Sequence, residues 1–127
     1  MNRLVKILKI LADESRLRAL GLLLVRECCV CEVMQVLGIS QSKASRILSS
    51  HYDAGLLTLR KEGTWSHYSL DRDNLEPQVK AILDAVSASF TENPQMITDL
   101  ENLKNTVPLS KCCTTPVNTT TAPAGTA

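Results

Sequence analysis

Gly38-Ile39-Ser40-Gln41-Ser42-Lys43-Ala44-Ser45-Arg46-Ile47-Leu48-Ser49-Ser50-His51 is the stretch whose reading decides the fold. Gly38 stands where a helix ending after Leu37 needs a left-handed residue, and Ser40 is a good cap for the helix that follows. That second helix reads from Gln41 to about Ala54, and Gly55 stops it in the same way. Ala44, Ile47, Leu48 and His51 fall at i, i+3, i+4 and i+7, so they face a core. Ser42, Ser45, Arg46 and Ser49 repeat the spacing on another face, which is small and polar and carries one arginine. A helix that enters the DNA major groove needs such a face, with short donors for base edges and phosphates and no bulk in the way. Gln41, Ser42, Lys43, Ser45, Arg46 and Ser49 are therefore the candidate DNA contacts on this helix.

The neighbouring segments complete the motif. A short helix from about Val30 to Leu37, with Val30, Val33 and Leu37 on one face, leads into the stretch. Two further helices precede it: one carries Leu4, Ile7, Leu8 and Leu11, and the other is capped by Asp13 and carries Leu17, Leu20 and Leu24. After Gly55 the pattern changes to strands, Leu56 to Arg60 and Trp65 to Leu70, around a polar turn containing Gly63. Arg60 and Lys61 at this hairpin are candidate phosphate contacts. A fifth helix reads from about Leu75 to Phe90. Asn93-Pro94 opens a short sixth with Ile97, Leu100 and Leu103. The expected fold is mainly α with a two-stranded β-hairpin wing, a winged helix-turn-helix. The expected organisation is a DNA-binding and dimerisation domain over 1–92, a short helix with a Cys-Cys segment over 93–113, and a disordered tail over 114–127.

At 127 residues the chain is one domain with a modest core, and a partner subunit fits that size. Aromatics at 3% suggest an aliphatic, helical core rather than a sandwich. The net charge of +1 hides an uneven distribution. From Gly38 to Arg72 five basic residues face three acidic ones, whereas from Asp73 to Glu101 one basic residue faces six acidic ones. A near-neutral total therefore does not exclude a polyanion partner. Lys6 and Lys9 interrupt the apolar start, and the run from Leu20 to Val25 is too short to span a bilayer. The expectation is a cytoplasmic protein with no membrane partner, in which five cysteines are mostly reduced thiols. A thiol enzyme finds no support: no nucleophile has an aspartate-histidine pairing, and no strand-helix-strand unit flanks the Cys28, Cys31 spacing.

Three stretches resemble the ArsR/SmtB family of repressors. They are Leu11-Ala12-Asp13-Glu14-Ser15-Arg16-Leu17-Arg18, Ser40-Gln41-Ser42-Lys43-Ala44-Ser45-Arg46, and Ala54-Gly55-Leu56-Leu57 running into Arg60-Lys61-Glu62-Gly63-Thr64-Trp65-Ser66-His67-Tyr68. The similarity covers about residues 4 to 90 in unbroken order. It implies a homodimer built through the first and fifth helices that binds double-stranded operator DNA in its effector-free state. His51 departs from the family, which usually has leucine there; it reads as a partly buried core histidine with a hydrogen bond, and His67 as a wing surface or backbone-bonded residue.

Glu27-Cys28-Cys29-Val30-Cys31-Glu32 resembles the cysteine box that opens the third helix in arsenic- and cadmium/lead-sensing members. Cys29 and Cys31 match its two cysteines; Met34 stands where arsenic sensors commonly carry a third. Two alternatives remain for the third thiolate. Cys28 is i, i+3 to Cys31 and so on the same helical face; Cys112 and Cys113 match adjacent C-terminal cysteines that some relatives use for arsenic. Soft thiolates select soft ions, which points to As(III), with Sb(III), Cd(II), Pb(II), Bi(III) or thiol oxidation as alternatives. The resemblance disfavours zinc, because zinc-sensing relatives use histidine on the fifth helix and residues 74–90 have none. On an ideal helix Cys29 and Cys31 would lie roughly 200° apart, so holding one ion would require the first turn to distort.

Overall fold

The computed structural model describes residues 2–63 and 65–106. Its elements are α1 (Asn2–Leu11), α2 (Glu14–Val25), β1 (Cys28–Cys29), α3 (Val30–Leu37), α4 (Gln41–Asp53), β2 (Leu57–Glu62), β3 (Trp65–Leu70), α5 (Pro77–Phe90) and α6 (Pro94–Lys104). Local chemistry sets most boundaries. Asp13, Ser40 and Asn93 accept hydrogen bonds from the backbone N–H groups of Arg16, Lys43 and Met96 at 3.0, 3.1 and 2.9 Å. Each satisfies a donor that a helix start leaves without a partner. Gly38 (φ 68°) and Gly55 (φ 84°) take the left-handed conformation that ends α3 and lets the chain leave α4.

Helix α2 forms the centre of the core. Ala19, Leu20, Leu22 and Leu23 are all buried, so this helix is enclosed on most sides by α1, α3, α4, α5 and α6. Each fully buried leucine stabilises the fold by about 1.5–3 kcal/mol relative to an exposed one. Leu48 of α4 and Val33 of α3 lock the two helices of the helix-turn-helix to this core.

Three details depart from the sequence reading. The expected hairpin is present as β2 and β3, and it gains a third strand, giving an antiparallel sheet in the order β1-β3-β2, because Cys28 pairs with Tyr68 and Cys29 with His67. Helix α5 begins at Pro77, since Pro is favoured at the first helical position; Leu75 is buried but lies before it. Helix α6 keeps Leu103 buried and Leu100 against the core as expected, but not Ile97. Met96, Asp99 and Leu103 point inward, whereas Ile97 is exposed. The cause is Arg18 of α2, whose guanidinium donates to both Asp99 oxygens at 2.8 and 2.9 Å and draws that face onto the core. The expected tail over 114–127 lies outside the described residues.

Candidate DNA-reading surface and thiol site

On α4 the two faces separate as the spacing requires. Ala44, Ile47, Leu48 and His51 are buried. Ser42, Lys43 and Arg46 are exposed, and Gln41, Ser45 and Ser49 are half-buried along the same side. Among the described residues no ion pair holds Lys43, Arg46 or Lys61, so their charges are available to a polyanion. His51 is wholly buried rather than partly so. Its Nδ1 lies 2.7 Å from the Ile47 carbonyl oxygen and its Nε2 lies 3.0 Å from that of Arg16, bridging α4 to α2. A neutral ring has one N–H and can donate to only one of these oxygens. Burial nevertheless dominates and lowers the His51 pKa below its ordinary value of 6.5.

Arg60 is positioned differently from its neighbour Lys61. Its Nη2 and Nε donate to the Glu27 carboxylate at 2.8 and 3.3 Å, and its Nη1 donates to Glu62 at 3.3 Å. Ser69 donates a further hydrogen bond to Glu27 at 3.0 Å. The Arg60 bond, helped by Ser69, holds the Glu27 carboxyl below its ordinary pKa of 4.5. The sequence reading missed Glu27, because its partner lies 33 residues away.

The three described cysteines divide between two environments. Cys28 belongs to the main core, its thiol 3.5 Å from the Arg26 carbonyl oxygen, and burial pushes its pKa up to about 12. The helical spacing that would join it to Cys31 does not apply, because Cys28 lies in β1, before α3 begins. Cys29 and Cys31 form a second buried cluster with Met34 and Trp65 packed against it. The expected 200° separation does not apply either. Cys29 is the residue before α3, with extended backbone (φ −103°, ψ 169°), because pairing with β3 holds it out of the helix. Cys29 and Cys31 fall in one buried cluster without distortion of the helix.

Polar neighbours fix this junction. The Cys29 N–H donates to the Glu32 carboxylate at 2.9 Å, and Glu32 in turn pairs with Arg26 at 2.8 Å. Gln35 donates to the Cys31 sulfur at 3.2 Å. His67 is a half-buried residue stacked on Trp65, with ring centroids 5.8 Å apart, and not a surface one. Its Nε2 is buried without a hydrogen-bond partner, 3.6 Å from a Glu62 oxygen. Among the described residues no three His, Cys, Asp or Glu side chains converge to hold a metal. Cys112 and Cys113 lie outside those residues. No helix among the described residues is long and apolar enough to cross a membrane.

Comparison with known proteins places this architecture. Residues 13–58 match the model described as "Bacterial regulatory protein, arsR family". The arsenical resistance operon repressor of Escherichia coli K12 is 46% identical over 67 residues, covering 52% of this chain and 57% of that protein. The chain thus spans little more than half of that relative's length. The arsenic resistance transcriptional regulator ArsR2 of Pseudomonas putida is 32% identical over 111 residues, covering 84% of this chain and 95% of that protein. A homodimeric winged helix-turn-helix DNA-binding domain from Mycobacterium bovis superposes with a TM-score of 0.59 at 26% identity, covering 73% of this chain and 82% of that one. With its three-stranded wing, its capped reading helix and these relatives, the chain belongs to the arsR family of bacterial regulatory proteins.

Proposed function

We propose that this chain is a transcriptional repressor that binds operator DNA as a homodimer and releases it when arsenite binds cysteine thiolates. The observation that carries the reading is the shared burial of Cys29 and Cys31 where wing strand β1 meets α3. An ion bound there acts on the first helix of the reading motif and on the wing at once. The names of the Escherichia coli and Pseudomonas putida relatives support arsenic as the signal. The exposed α4 face and the cations Lys43, Arg46 and Lys61 support DNA as the partner, and a cytoplasmic protein fits that reading. Two thiols fit part of the coordination that As(III) takes from soft donors. Cys28 faces the core, so the third thiolate is assigned to Cys112 or Cys113.

Dimerisation is assigned to α1 and α5. Val5 and Leu8 on α1 are exposed, Leu8 by 47%, and Ile82 and Val86 of α5 are only half-buried. Such uncovered aliphatic surface suits an isologous partner.

The test is fluorescence anisotropy on labelled operator, titrated with As(III), Sb(III), Cd(II), Pb(II), Zn(II) and an oxidant. Cys29→Ser and Cys31→Ser keep operator binding and lose release by As(III), because a hydroxyl cannot replace a soft thiolate. Cys28→Ser releases like wild type, and loss of both Cys112 and Cys113 impairs release. If Cys29→Ser and Cys31→Ser both release DNA at wild-type arsenite levels, the β1–α3 junction is not the sensor. Arg46→Ala weakens operator binding by roughly 1–3 kcal/mol and relaxes preference at one position; wild-type binding by this variant would show that α4 is misread.

A further inference from the structure

We propose that Glu27 withholds Arg60 from DNA, its carboxylate and an operator phosphate competing for one guanidinium. The inference rests on the reading of Arg60 as a phosphate contact. Arg60 is the wing cation already engaged: all three of its guanidinium nitrogens donate to carboxylates, Nε and Nη2 to Glu27 and Nη1 to Glu62. Lys61, the next residue, takes part in no ion pair among the described residues. Antiparallel pairing explains the arrangement. Arg60 stands opposite His67, and Glu27, two residues before Cys29, reaches the same face of the sheet, where Ser69 also donates to it.

The cluster of Arg60, Glu27 and Glu62 carries a formal charge of −1, so while the pair is closed Arg60 offers a phosphate no net positive charge. The Arg60 and Glu27 side chains are 53% and 35% exposed, so the pair is solvated enough to exchange partners. A phosphate can take the guanidinium only by displacing Glu27. Binding of DNA is then opposed by the loss of a fork already made.

The experiment measures anisotropy of operator and unrelated duplexes over a range of salt with Glu27→Gln, Arg60→Ala and the double variant, with circular dichroism melts to confirm folding. Glu27→Gln is expected to tighten binding to both duplexes several-fold, because the Arg60 phosphate contact then forms without breaking the fork. Arg60→Ala weakens binding, and the double variant matches Arg60→Ala. Equal tightening by Glu27→Gln with and without Arg60 would show a general field effect and overturn the competition. Wild-type binding by Glu27→Gln, with Arg60→Ala weakened, would also overturn it while leaving the Arg60 contact standing. Wild-type binding by Arg60→Ala removes the phosphate reading and the proposal together. Should Glu27→Gln fail to fold, Ser69→Ala must shift binding in the same direction to a smaller extent, and wild-type binding by that variant rejects the proposal.

Discussion

Arg18 and Arg60 each grip a carboxylate with two guanidinium nitrogens, in two different regions of the molecule. Arg18 meets Asp99 at 2.8 and 2.9 Å between α2 and α6, where Asp99 is 1% exposed and also accepts from Gln95. Arg60 meets Glu27 at 2.8 and 3.3 Å on the solvated face of the wing sheet. The chemistry is the same and the surroundings differ. In the seam, removal of one partner strands a charge away from water, so the fork acts as a fixed clamp. On the wing, water and salt screen both ions, so the fork contributes little stability and can change partners. Arg18 reflects its enclosure: the Asp99 hydrogen bond raises its pKa against the opposing effect of desolvation.

The largest effect expected from this contrast is at Asp99. Asp99→Asn keeps the shape and removes the charge, and is expected to cost about 3 kcal/mol, the lower end for a broken buried pair because Arg18 retains some solvent contact. Urea unfolding measures it. A cost below about 1 kcal/mol would mean that apolar packing by Met96 and Leu103, and not the clamp, holds α6.

Acid sharpens the same contrast. Buried His51 and partly exposed Glu27 both have depressed folded pKa values. Each therefore contributes stability that is present above its unfolded pKa and lost as pH falls toward its folded value. For His51 the loss begins below 6.5, and for Glu27 only below 4.5. The melting temperature is expected to decline first between these values, and His51→Leu to abolish that first decline. A pH-independent melting temperature above 4.5 in the wild type would remove His51 as its source.

The smallest effect belongs to the wing fork. A double-mutant cycle on Glu27→Ala and Arg60→Ala is expected to give a small stability coupling that fades with added salt, whereas the Arg18–Asp99 coupling persists. A larger, salt-insensitive coupling on the wing would make the two forks equivalent and end the comparison.

The sequence by itself determined the helices around the turn, their caps, the glycine stops and the division of α4 into a core face and an exposed polar face. These depend on neighbours within about one or two helical turns, so spacing and side-chain chemistry suffice. It also singled out Cys29 and Cys31 as a pair, but not their geometry. Only the tertiary structure decided that Cys29 is held in a strand by His67, that Cys28 turns into the main core, and that Arg60 is engaged by Glu27. Helix α6 illustrates the same limit: its local pattern offers Ile97 as a core residue, yet Arg18, 81 residues from Asp99, sets which face turns inward. A two-residue strand and a long-range ion pair leave no periodic trace in the chain, because each exists only through a partner that folding brings alongside.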